Sequence, residues 1–161
     1  MRFNHTAPIR LPKERIDLYR WLTGMTSADY QSFARAHRAA GGYFDDGVFV
    51  FVNIEMIGNE LLVHHYRLLE RRADHLRLYS KDSKAYVMRW FPATVGVPWE
   101  LEIRSTGPSS CELSCTIGVD FPNAMVKIGG LVNGFGGLFV RRHLAEETVN
   151  FARDIERKFA A

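Results

Sequence analysis

His143 and Glu147 stand four residues apart near the end of the chain, and Asn150 and Asp154 continue the same line along a helical turn. An imidazole and a carboxylate at that spacing can act as an acid–base pair or supply two ligands to a metal. A metal needs three or four convergent ligands, and no other His, Cys, Asp or Glu group with ligand spacing lies nearby in sequence. The expectation is therefore a solvated i,i+4 pair, with no metal and no cofactor.

The segment 60–70 carries a second polar set. Its alternation places Leu62, His64, Tyr66 and Leu68 on one face and Leu61, Val63, His65, Arg67 and Leu69 on the other. The second face holds more charge, so His64 and Tyr66 are expected inward, either against a ligand or as hydrogen-bonded core groups. Glu55 and Tyr79 are further polar side chains that strands could aim at an interior. Arg89 shares a face with Val87 and Phe91, and a buried arginine needs a carboxylate or an anionic ligand. An exposed Arg89 leaves Tyr86, Met88 and Trp90 as the inward set, with Trp90 and Trp99 as aromatic walls for a planar or lipid-like guest or as plain core.

Other chemistries lack their motifs. No serine sits in a Gly-x-Ser-x-Gly elbow and no phosphate-binding glycine loop precedes a helix. The glycines at 134, 136 and 137 follow no strand of a βαβ unit, so they are not a dinucleotide fingerprint. Cys111 and Cys115, four apart on a strand, would be ~13 Å from each other, too far for a disulfide. They are expected to be buried, reduced thiols. The basic run Arg67, Arg71, Arg72, His75 and Arg77 is interrupted by Glu70 and Asp74 and reads as a wet hairpin tip.

The bulk properties narrow the partners. The chain has 161 residues, 47% of them hydrophobic, enough for one cored domain over residues 1–161. A net charge of +3 from 21 basic and 18 acidic residues falls short of the concentrated positive field of a nucleic-acid binder. The first residues lack an apolar secretory core and nowhere do about 18 apolar residues run together. A cytoplasmic protein without stable membrane insertion is expected.

Four kinds of element must position these groups. Residues 2–10 read as a strand; Pro12 opens a helix over Lys13–Trp21, and Thr26 and Ser27 cap a second helix through about His37. From Gly47 the pattern turns to period two, with strands at about 47–55, 60–70, 74–80, 85–92, 97–105 and 111–119 and turns at 58–59, 73–74, 81–83 and 107–109. Residues 121–137 offer Met125, Val126, Ile128, Leu131 and Val132 among repeated glycines, as a bent approach to the last element. That element is a helix from Leu138 to Phe159. Val140, Leu144, Phe151, Ile155 and Phe159 stack on one face of it, and its ~33 Å length requires a broad partner surface.

A strand, two short helices, a run of antiparallel strands and a glycine-led final helix, Gly136-Gly137 through Phe159, resemble the START-like or SRPBCC superfamily, which includes polyketide cyclase-like proteins. The Leu11-Pro12 step from the first strand into the helix pair belongs to the same pattern. The resemblance implies an α+β helix-grip fold: six to seven curved antiparallel strands wrapped around the long helix, with a cavity between them. It also implies a small hydrophobic molecule or lipid as partner. On this reading the cavity is lined by His64, Tyr66, Met88, Trp90, Trp99, Leu101, Leu113, Leu144 and Phe151, with Thr148 offering a hydroxyl. A cyclase- or dehydratase-like enzyme acting on a polyketide-like substrate is the alternative, and a ligand-free interaction module a third.

Overall fold

The computed structural model describes residues 1–87, 89–122 and 137–160. The strand β1 (Arg2–Ile9) leads through a 3-10 turn at Lys13–Arg15 to the helices α1 (Leu18–Thr23) and α2 (Ser27–Phe33). Six strands follow: β2 (His37–Asp45), β3 (Val48–Ile57), β4 (Glu60–Arg71), β5 (His75–Val87), β6 (Phe91–Gly107) and β7 (Ser110–Gly118). The helix α3 (Leu138–Phe159) closes the described chain. The strands form one antiparallel sheet in the order β1-β7-β6-β5-β4-β3-β2, so the first strand pairs with the last and β2 is an edge. The class is α+β, with the long helix held against one sheet.

Local chemistry explains most element ends. Asp17 caps α1 by accepting from the Arg20 amide, and Thr26 with Asp29 forms a reciprocal capping box on α2. Two helices are shorter than the sequence suggests. Ile16 is extended, so the helix expected over Lys13–Trp21 is divided into the 3-10 turn and α1. Ala34 is also extended, which ends α2 at Phe33 and releases His37 to begin β2, a strand the sequence pattern does not announce.

The turn expected at residues 81–83 is instead a register shift between Ser80 and Ser83 within a continuous β5. The chain reverses between Val87 and Phe91, where Arg89 has φ 68° and its amide donates to the Tyr86 carbonyl. Trp90 lies in that reversal, 83% exposed, which removes it from any inner wall. Met88 and the glycine-rich stretch 123–136 lie outside the described residues. Cys111 and Cys115 are buried free thiols. Among the described residues no helix is long and apolar enough to cross a membrane.

The core lies between the sheet and the helices. Phe151 of α3 is fully buried, with ring centroids 5.0 Å from Trp21, 5.1 Å from Phe33 and 6.2 Å from Trp99. Polar ties fix the helix along its length. The Trp21 indole donates to Asp154 at 2.9 Å, Asn150 donates to the Phe33 carbonyl at 2.7 Å, and Arg10 pairs with Glu156 at 2.8 Å.

Glu60, at the start of β4, is buried and its Oε1 has no hydrogen-bonding partner among the described residues. Burial lifts its pKa from 4.5 to about 7. A carboxyl group whose pKa is raised by folding stabilises the protein fully below its unfolded value and loses that contribution as pH rises through the folded value. Glu60→Gln is therefore expected to raise stability at pH 8 by about 1–2 kcal/mol. In urea titrations at several pH values, the advantage should shrink between pH 7 and pH 4.5 and vanish below that.

Candidate functional site

The edge pairing of β2 and β3 sets His37 directly opposite Glu55. Over this pair α3 lays His143 and Glu147, one turn apart, and all four side chains are buried. One ligand atom from each lies within 4.8 Å of the others. The solvated pair expected from the sequence is thus replaced by an interior cluster, because His143 and Glu147 occupy the same broad stripe as Val140, Leu144 and Phe151.

The cluster is held by a shell of hydrogen bonds. The Nδ1 of His37 is 2.6 Å from the Tyr30 carbonyl, an acceptor, so the proton resides on Nδ1 in the neutral ring and Nε2 presents a lone pair to the cluster. The Tyr30 ring stacks on His37 with centroids 3.7 Å apart, and its hydroxyl donates to Glu55 Oε1. Asn53 Nδ2 donates to the same oxygen at 2.7 Å. Glu55 Oε1 is therefore doubly satisfied while Oε2 points at the histidines.

The inward atoms remain apart. His37 Nε2 is 3.4 Å from Glu147 Oε1, His143 Nε2 is 3.5 Å from Glu55 Oε2, and His143 Nε2 is 4.0 Å from Glu147 Oε2. His37 Nε2, Glu55 Oε2 and His143 Nε2 are buried without a hydrogen-bonding partner among the described residues. Electrostatics couples them nonetheless. Burial alone would lower the His143 pKa, but the carboxylates of Glu55, Glu147 and Glu146 lift it to about 9. Burial alone would raise Glu55, but His143, His64 and His37 hold it well below the usual carboxylate range.

A second polar group sits deeper. His64 and Tyr66 of β4 are buried with ring centroids 5.2 Å apart. His64 Nδ1 is 2.8 Å from Ser83 Oγ, which in turn donates to Ser80 Oγ at 2.7 Å. Burial is the main influence lowering the His64 pKa. Trp99, Leu101, Leu113, Leu144 and Phe151 are all buried in the core. Thr148 is buried too, but its hydroxyl donates to the Leu144 carbonyl at 2.6 Å and so is spent on the helix rather than offered to a guest.

A pocket of about 240 Å³ opens beside the cluster. Ala36, Met56, Ile57 and Phe139 supply apolar wall, and His143 reaches it from the interior. Gly58, Arg35, Arg142 and Glu146 complete the lining, and neither arginine side chain is paired among the described residues. This mouth was not legible from strand alternation, because it is built from the connection between α2 and β2, the end of β3 and the start of α3.

No protein-family model matches the sequence, and no curated protein matches it. Solved structures do match the fold. A protein from Thermus thermophilus superposes with a TM-score of 0.70 at 9% identity, covering 98% of this chain and 99% of that one. The Zhui aromatase/cyclase from Streptomyces sp. R1128 gives a TM-score of 0.65 at 13% identity, covering 98% of this chain and 94% of that one. Major latex-like protein 151 from Panax ginseng gives a TM-score of 0.51 at 9% identity, covering 89% of this chain and 97% of that one. The chain therefore shares the α+β helix-grip fold of these structures, and at these identities the likeness extends to the fold alone.

Proposed function

We propose that this chain binds a small amphipathic molecule, with an apolar body and an anionic head, in the pocket between the α2–β2 connection, the end of β3 and the amino-terminal end of α3. The observation that carries the reading is an apolar wall beside two arginines, Arg35 and Arg142, whose side chains have no partner among the described residues. Ala36, Met56, Ile57 and Phe139 would take up the apolar part, while Arg35 and Arg142 would meet the head. At about 240 Å³ the pocket lies just below the usual ligand-site range of about 300–1,000 Å³, so the guest is small or only partly inserted. Residues 1–161 act here as one START-like domain.

The test is calorimetric titration with decanoate and with decanol. Decanoate is expected to bind saturably, and Arg142→Ala to weaken it about tenfold while changing decanol less than about twofold. Ala36→Trp, which fills the mouth, should abolish both. Saturable decanoate binding unaffected by either substitution would overturn this site, and no binding of either probe would overturn the ligand class. An enzyme reading is favoured by a separate observation, the titratable cluster behind the mouth, because a cyclase or dehydratase needs at least two such groups facing its substrate.

A further inference from the structure

We propose that His37, Glu55, His143 and Glu147 form a binding site for one first-row divalent transition-metal ion. Four observations converge on it. First, the four groups come from three separate elements, and their ligand atoms converge within 4.8 Å. Second, the closest inward contacts, 3.4 Å between His37 and Glu147 and 3.5 Å between His143 and Glu55, are too long for good hydrogen bonds. They match the separation of two ligands ~2.1 Å from a shared ion at a tetrahedral angle, ~3.4 Å.

Third, His37 Nε2, Glu55 Oε2 and His143 Nε2 are buried and unpartnered, and such groups are costly unless something satisfies them. A cation at their centre satisfies all three. Fourth, the surrounding shell has the form that orients metal ligands. A backbone carbonyl fixes the His37 tautomer with Nε2 inward, and Tyr30 and Asn53 hold Glu55 through its other oxygen. The charge also balances once the ion displaces the His143 proton, since two carboxylates and two neutral imidazoles need a charge of +2.

The ligand chemistry selects among ions. Two imidazole nitrogens with two carboxylate oxygens suit Zn²⁺, Fe²⁺, Mn²⁺ or Co²⁺ and disfavour Mg²⁺ and Ca²⁺, which prefer all-oxygen sets. His143 also lines the pocket. An ion held here would stand near the mouth, within reach of an oxygen of a bound guest. Metal binding itself does not rest on the proposed amphiphile.

The test is titration of chelator-stripped full-length protein with ZnCl2 and CoCl2, with MgCl2 as control, read by calorimetry and by the visible absorption of bound Co²⁺. One equivalent of Zn²⁺ and of Co²⁺ is expected to bind, with absorption bands of a low-coordinate nitrogen–oxygen site, and Mg²⁺ to bind at least about a hundredfold more weakly. Glu147→Gln should weaken Zn²⁺ by at least about tenfold, and Tyr30→Phe, which touches only the shell, by about tenfold. Circular dichroism checks that each variant is folded. Wild-type protein that binds no Zn²⁺ or Co²⁺ would overturn the proposal whatever the variants do. So would tight binding with unchanged affinity in a folded Glu147→Gln protein. Decanoate titrations of the stripped protein separate this result from the ligand reading.

Discussion

Glu55→Ala is expected to destabilise the protein by about 3–5 kcal/mol, measured as a shift of the urea unfolding midpoint at pH 7 in stripped protein. Removing one partner of a buried ion pair costs more than the pair contributes, because the other charge stays buried and uncompensated. Here the loss is compounded. The Tyr30 hydroxyl and the Asn53 amide both donate to Glu55 Oε1, and His143 lies 3.5 Å from Oε2. Glu55→Gln leaves His143 equally without its nearest carboxylate but keeps an acceptor for Tyr30 and Asn53, so it should cost less than Glu55→Ala by about 1–2 kcal/mol. Equal losses for the two substitutions would show that the charge, which both remove, and not the hydrogen bonds to Oε1, dominates this site.

Phe151→Ala is expected to cost about 3–5 kcal/mol in the same measurement. Phe151 is fully buried and joins three parts of the fold, touching Trp21 of α1, Phe33 of α2 and Trp99 of β6. These rings come from elements that cannot readily collapse into the space left behind, since Trp21 is tied to Asp154 and Trp99 donates to Cys115 at 3.3 Å. A large fraction of a typical domain stability of about 5–15 kcal/mol is at stake. Phe151→Leu, which keeps most of the volume, should recover more than half of the loss.

Long periodic elements were readable from the residues. The bounds of α3, Leu138–Phe159, follow from a glycine entry and an apolar stripe sustained over six turns. The strands with one wet face were equally plain, as in β6, where Val97, Trp99, Leu101 and Ile103 are all buried. The edge strand β2 was invisible because it buries little beyond His37, and its pairing with β3 rests on backbone bonds that leave no hydrophobic signature. The polar triplet at residues 81–83 imitated a turn, and only the sheet keeps it in line as an irregularity of β5. These two errors offset each other, so the expected number of strands agrees with the seven observed.

The cluster was harder to see. His37 and Glu55 become neighbours only through the β2–β3 register, and without β2 there is no register to read. A signal existed on α3. His143, Glu147 and Asp154 fall three or four residues from Val140, Leu144 and Phe151, which widens the buried stripe to include polar groups. Three ionisable residues inside an apolar stripe mark a place where charge is compensated in the interior. Asp154 finds Trp21, Arg157 and Lys158. Among the described residues, His143 and Glu147 meet each other, Glu55 and His37.

The four residues thus form a buried polar knot beside the sheet edge, and an ion at its middle can be located directly. Crystals of the stripped protein supplied with one equivalent of Zn²⁺, measured just above the zinc absorption edge, are expected to show a single anomalous peak ~2.0–2.2 Å from His37 Nε2, His143 Nε2 and an oxygen each of Glu55 and Glu147. A map without a peak among these four residues, or with zinc only at surface histidines, would contradict it.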